Sequence, residues 1–373
     1  MSASPYAKRL RQAIAAEERP SETAFLQAEL AAYLGRVGQF DEADRLLADL
    51  RSRYGDGHSG RVSIMIMCAE AQVVYFRDLG ERARDRMARA QLLAVALRDP
   101  QLSALSSAWL AHICFNTHRH GEMARAMRTC IATTTSEDHP SACRMALTLG
   151  DAFLVAGDEV TSSRWYGKAH NHATVLGDHS AVAALVYNRT ALGVFQARVR
   201  QASDADVSTE HLASLDAQLR SAANYQHLAD LRSLQILLDN AGVSLDVLKG
   251  RYAEAQSRIE ALLATKQRIA PLDQSAVLRA DHVLCLANCG GLIRARAELD
   301  EMLNSSVIND ATVDDQIVAL FSLAGASQLC GSDDLTRSLI DRGYQARADY
   351  SMQVRELSGL LEEFKGDETL DRL

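Results

Sequence analysis

The sequence predicts an all-α chain built as a stack of about eight antiparallel helix pairs with a C-terminal capping helix. Two observations carry this. Among 373 residues there are only five prolines and 5% aromatics, while Ala, Leu and Arg abound; Ala and Leu are strong helix formers, and aromatic and β-branched residues mark strands. The second is a joint that recurs along the chain at a spacing near forty residues, the mark of a repeat architecture.

The joint is clearest in LGRVGQFDEADRLL, residues 34–47. A helix ends near Arg36, Gly38 permits the turn, Asp41 is placed to cap the next helix, and Ala43 is small where two helices cross. Leu46, Leu47 and Leu50 continue an apolar face at helical spacing. LKGRYAEAQSRIEALL, residues 248–263, repeats the design. Gly250, Tyr252, Glu254, Ala255, Ile259 and Leu262 match Gly38, Phe40, Glu42, Ala43, Leu47 and Leu50.

Weaker copies lie between and beyond. Gly157 pairs with Ser162, Gly290 with Ala295 and Gly331 with Thr336; Arg119 takes the glycine place before Ala124, and Gly80 precedes a poorly matching Asp85. The turns at 38, 80, 119, 157, 250, 290 and 331 differ by 42, 39, 38, 93, 40 and 41. The gap of 93 holds two units plus an insertion, placed at the polar stretch Arg200–Glu210. A helix pair of this size cannot bury its own apolar stripe, so neighbours bury it. The organisation expected is therefore helical repeats over 1–200, an insertion or hinge at 201–210, further repeats and a cap over 211–365, and a flexible tail at 366–373. The cap is the amphipathic stretch Gln345–Phe364, whose apolar positions are Tyr350, Val354, Leu357, Leu360, Leu361 and Phe364.

The small residues and turn glycines resemble the tetratricopeptide repeat (TPR) superfamily. The matched positions are Leu30, Ala31, Gly38 and Ala43 in the first clear copy, and Leu149, Gly150, Phe153 and Gly157 in the fourth. The resemblance spans roughly residues 21–345. The units run longer than the ~34 residues usual for that superfamily, and the closing proline is absent, which places the chain nearer the long-helix TPR-like regions of bacterial regulators. The resemblance implies a right-handed α-solenoid whose first helices line a concave groove for a protein or peptide.

Charge and cysteine content narrow the function classes. The net charge is −8, from 40 basic and 48 acidic residues, with no basic face of the kind nucleic acid needs. The arginines at 82, 84, 86 and 89 alternate with Glu81 and Asp85, as on a solvated helix face. The N-terminal twenty residues carry charges where a signal peptide needs an apolar core. Runs such as Ile64–Ala69 and Leu92–Leu97 are far short of the ~20 residues that span a bilayer. Seven cysteines without a CxxC pair suit free thiols in a reducing cytoplasm. The expectation is a cytoplasmic protein with no nucleic-acid or membrane partner, and the glycosylation-like triplets at Asn188 and Asn304 then carry no meaning.

Three motifs with chemical potential have simpler readings. Gly55, Gly57 and Gly60 spell GxGxxG, but a helix precedes them where a dinucleotide site needs a strand. His282, Cys285 and Cys289 share one helical face with ligand types zinc accepts, yet these offsets are also a buried stripe beside Leu278 and Leu286, and no fourth ligand accompanies them. His112, His118 and His120 cluster around a turn; His170 and His172, two apart, point to different sides of a helix. There is no GxxxxGK[ST], HExxH or GxSxG, and the pairs Glu17/Glu18 and Glu362/Glu363 sit near helix ends. The expectation is a chain without cofactor, metal or catalytic residues.

Groove positions follow from the register: Trp109, Ile113 and Asn116 in the third unit; Arg144, Leu147 and Asp151 in the fourth; Asn188 and Leu192 in the fifth; Asn240 and Ser244 in the sixth. The asparagine amides can bond a peptide backbone without reading its side chains, and Arg144 or Arg189 can meet a carboxylate. The candidate binding residues are Trp109, Asn116, Arg144, Asp151, Asn188, Arg189 and Asn240. The expected function is a non-catalytic adaptor for a protein or peptide. The alternative is a peptide- or metabolite-responsive regulator that changes the superhelix about the 201–210 hinge. Self-association into a homodimer through exposed solenoid ends is a further expectation.

Overall fold

The computed structural model describes residues 4–55, 60–78, 80–202, 207–229, 231, 235–264 and 275–366. These are all-helical, without a strand among them. Contact clustering divides the chain into two compact units: residues 1–185 with 226–233 and 357–373, and residues 186–225 with 234–356. This division differs from one at 201–210, and residues 203–206 of that segment lie outside the described residues.

The first unit opens with α1 (Pro5–Ala16) and then runs α2 (Pro20–Arg36), α3 (Phe40–Tyr54), α4 (Gly60–Asp78), α5 (Arg82–Leu97), α6 (Pro100–Asn116), α7 (His120–Thr133), α8 (His139–Val155) and α9 (Glu159–Leu176). Each helix of the series α2, α4, α6 and α8 packs on the next of that series as well as on its own hairpin partner. Helices in such an inner row are covered on several sides: in α8 every residue from Ser141 to Phe153 is buried, and in α6 nearly all from Leu102 to Phe115. The chain's end returns to this unit. Leu357, Leu361 and Phe364 are buried, Arg128 pairs with Glu363 at 2.8 Å, and Lys365 stands 3.8 Å from Asp158.

The second unit takes the later part of α10 (His179–Gln201), most of α11 (Thr209–Leu228), then α12 (Gln235–Leu248), α13 (Tyr252–Ala264), α14 (Ala276–Asn288), α15 (Leu292–Asn304), α16 (Val313–Leu329) and most of α17 (Asp333–Leu361). The hairpin pattern repeats, with α12 on α13 and α14, and α14 on α15 and α16. The stretch expected as a separate cap, Gln345–Phe364, instead continues α17 without a break and ends in a 3₁₀ turn at Glu362–Phe364. Residues 367–373 of the tail lie outside the described residues.

Six of the joints share one geometry. At Gly38 the chain enters the left-handed region with φ 79°, its N–H bonds Gly35 O at 3.1 Å, and Gln39 N–H bonds Leu34 O at 2.8 Å. These are the paired bonds that satisfy the last carbonyls of a helix, and the conformation favours glycine because a Cβ clashes there. The same bonds recur at Gly157, and Gly250, Gly290 and Gly331 also have positive φ. In the third joint the left-handed residue is His118, φ 56°, not Arg119. The turn register therefore lies one residue earlier than the sequence alignment placed it, and Met123 stands where Ala43 does; Met123 and Ala124 are both buried. Gly80 is not among the left-handed residues; its N–H bonds Asp78 Oδ1 at 2.9 Å.

Prolines mark the other joints. Pro20, Pro100 and Pro140 stand in the first turns of α2, α6 and α8, 80 and 40 residues apart. A proline there has no helical N–H to lose. Prolines thus stand at the opening of three of the helix pairs, while α4, α12, α14 and α16 begin without one. Asp99 and Asp138 complete two of these starts by accepting from Leu102 N (3.0 Å) and Ser141 N (3.3 Å). No helix of the described residues is long and apolar enough to cross a membrane.

Candidate functional site

In the first unit α2, α4, α6 and α8 surround a cavity of about 60 Å³, and α1 lies at its edge. Two of the expected binding residues, Trp109 and Arg144, line it. Trp109 comes from α6 and Arg144 from the adjacent α8, and the guanidinium carbon sits 3.9 Å from the indole centroid. Arg144 is 6% exposed. Its side chain makes no hydrogen bond or ion pair among the described residues; its other polar contact is its backbone carbonyl, which accepts from Thr148 Oγ1 at 2.9 Å. Burial, and then the like charge of Arg36, lower its pKa to about 10.

Aromatic rings shape this end. His112 meets Trp109 and Tyr75 edge to face, with centroids 5.7 and 5.4 Å apart. Burial, then the Arg144 charge, push His112 well below its ordinary value, so it is neutral in the fold.

Carboxylates line the cavity as well. Arg36, at the end of α2, pairs with Asp178 at 3.0 Å and lies over the Tyr6 and Tyr33 rings. Asp178 also accepts from Ser180 N and Ala181 N at the start of α10, at 3.0 and 3.1 Å. Tyr6 of α1 donates to Glu29 Oε1 at 2.5 Å, and Glu29 is held above the usual carboxylate range chiefly by burial. Asp138 is raised by burial too, and its Oδ2 is buried without a hydrogen-bond partner. Three backbone anchors fix α1 here: Tyr6 N donates to Gly177 O at 3.3 Å, Ser4 Oγ to the same oxygen at 3.2 Å, and the Arg9 guanidinium to Leu176 O.

The other expected residues lie elsewhere. Asp151 is buried and accepts from Tyr166 Oη at 2.7 Å. Asn116 is exposed, and its amide turns back to His112 O at 2.8 Å. Asn188, Arg189 and Asn240 belong to the second unit: Arg189 is exposed, Asn188 and Asn240 half-buried. Sequence reasoning missed Tyr6, Glu29, Arg36, Asp138 and Asp178. Only Asp138 carried a local signal, an Asp before His-Pro at a helix start; Arg36 and Asp178 meet across 142 residues.

The motifs set aside by sequence have visible surroundings. His282 Nδ1 faces Glu298 at 2.8 Å, Cys285 packs in the core of the second unit and Cys289 is exposed. His172 meets not His170 but His139, Nδ1 to Nδ1 at 3.0 Å. No group of three or more His, Cys, Asp or Glu among the described residues is arranged to hold a metal ion. Residues 56–59 of the GxGxxG stretch lie outside the described residues. No protein-family model, curated protein or solved structure matches the chain.

Proposed function

We propose that this chain is a non-catalytic TPR-like helical-repeat protein, a right-handed solenoid, that binds a small carboxylate-bearing ligand in its first unit and thereby regulates a partner. The observation that carries the reading is the Arg144 guanidinium, buried on Trp109 and in no ion pair among the described residues; Asp178, which also lines the cavity, is paired with Arg36. Burying an unpaired charge costs several kcal/mol. A fixed guanidinium offers a planar fork that matches a carboxylate bidentately. Its burial favours a metabolite over an extended peptide, because Trp109 and Arg144 are too buried for a long chain to run along them.

The adaptor reading keeps one specific support. On α5, Leu92, Leu93, Val95 and Leu97 are each more than 40% exposed, and exposed apolar side chains gathered on one helix suit a protein partner. The two readings separate by experiment. Calorimetry of the full chain against a panel of small carboxylates, with Arg144→Gln alongside, tests the first. Binding that survives Arg144→Gln sinks it. Capture of a host protein that is lost in Leu92→Glu and kept in Arg144→Gln supports the adaptor instead.

A further inference from the structure

The same cavity has a second unmet demand. Arg144 lacks an anion, and Asp138, lining the cavity with it, has a buried Oδ2 with no donor. Asp138 Oδ1 is occupied as the cap of α8, bonding Ser141 N at 3.3 Å. Glu29 lines the cavity too and feels the Asp138 charge; the cation acting on Glu29, Arg36, is committed to Asp178 at 3.0 Å, and the basic groups acting on Asp138 are His139 and His172, which carry charge only when protonated. A carboxylate-only ligand satisfies Arg144 and leaves Asp138 as it is. A cation-only ligand does the reverse and leaves a buried guanidinium unpaired.

We infer that the first unit binds a small zwitterion, a free α-amino acid, with its carboxylate on Arg144 and its ammonium at Asp138 and Glu29. This rests on the reading of Arg144 as an anion receptor. Size agrees: a site holds one water in roughly 10–15 Å³ of such space, so about 60 Å³ takes some four to six non-hydrogen atoms. That is the scale of an ammonium, one carbon and a carboxylate, and it points to the smallest side chains. Both charges of the ligand would lie in a water-poor site, where each pairing is stronger than in bulk.

The test is calorimetry and thermal-shift measurement on the full chain with glycine and alanine, their amides, their N-acetyl forms, acetate and inorganic phosphate. The expected result is binding of the free amino acid, weakened at least tenfold by blocking either end. Asp138→Asn keeps a capping side chain and is expected to weaken glycine or alanine at least tenfold while leaving acetate unchanged; Glu29→Gln is the second variant. Arg144→Gln is expected to abolish binding of amino acid and acetate alike. Acetate or phosphate binding as tightly as glycine, with no effect of Asp138→Asn or Glu29→Gln, overturns the zwitterion and leaves the anion receptor standing. Failure of every probe to bind, or binding indifferent to Arg144→Gln, overturns both.

Discussion

The Arg144 guanidinium carbon lies 3.9 Å from the centroid of the Trp109 ring, across the contact between α8 and α6. The ring covers one face of the cation and supplies electrostatic attraction of order 1–2 kcal/mol in a desolvated setting. It supplies no in-plane acceptor, and the guanidinium makes no side-chain hydrogen bond among the described residues, so an incoming anion could bond its N–H groups. On the reading proposed above, a ligand carboxylate would supply that acceptor.

A stability difference follows. Replacing Arg144 by Met removes a buried, uncompensated charge and keeps most of the packing volume. The free chain should gain about 1–3 kcal/mol in urea unfolding, and ligand binding should vanish. A loss of similar size would instead make Arg144 a structural residue.

His112 makes a contribution of definite sign to the pH dependence of stability. Its pKa in the fold lies well below the ordinary value because burial, and then Arg144, oppose its charged form. The unfolded chain takes up a proton near pH 6.5 and the folded chain does not. Stability from this group is therefore full above about pH 6.5 and lost as the pH falls below it. Urea midpoints between pH 8 and 5 should fall more steeply for the parent than for His112→Gln, and parallel curves would remove His112 as the cause.

The turn at His118 predicts a stabilising change. Five of the six left-handed joint residues that precede second helices are glycines, and His118, φ 56°, is the exception. A non-glycine residue pays roughly 1 kcal/mol in that region. His118→Gly should raise the melting temperature by a few degrees, offset in part by greater freedom of the unfolded chain. A lower melting temperature would mean that contacts of the imidazole outweigh the backbone strain.

Local chemistry explains how much of this was legible beforehand. The helices and their joints announce themselves because a left-handed turn selects glycine and a helix crossing selects a small side chain: Ala43, Ala255 and Ala295 are all fully buried. The period placed Trp109 and Arg144 on the first helices of their pairs, α6 and α8, and both are buried there. It could not show that α1 folds against the Leu176–Gly177 turn, or that Arg36 meets Asp178, because those contacts join residues more than 140 apart and leave no trace in any local pattern. The third joint was misread by one residue for a related reason: with no glycine to mark it, Ala124 drew the alignment forward.

The second unit offers a test of what its buried ions do. Arg198 of α10 pairs with Asp281 of α14 at 2.6 Å, and Ser322 of α16 closes the triangle at 2.9 Å from Arg198 Nη2 and 2.8 Å from Asp281 Oδ1. Both ions are almost wholly buried, yet Arg198 Nη1 and Asp281 Oδ2 have no partner. Desolvation of two charges with incomplete hydrogen bonding makes the pair a weak net stabiliser, while removal of one member strands the other. Arg198→Met alone and Asp281→Leu alone should each cost about 3–5 kcal/mol. The double variant should lie close to the parent, giving a large favourable coupling in the mutant cycle. Additive losses in the double variant would show that the ions act independently and that the triangle holds the three helices together in its own right.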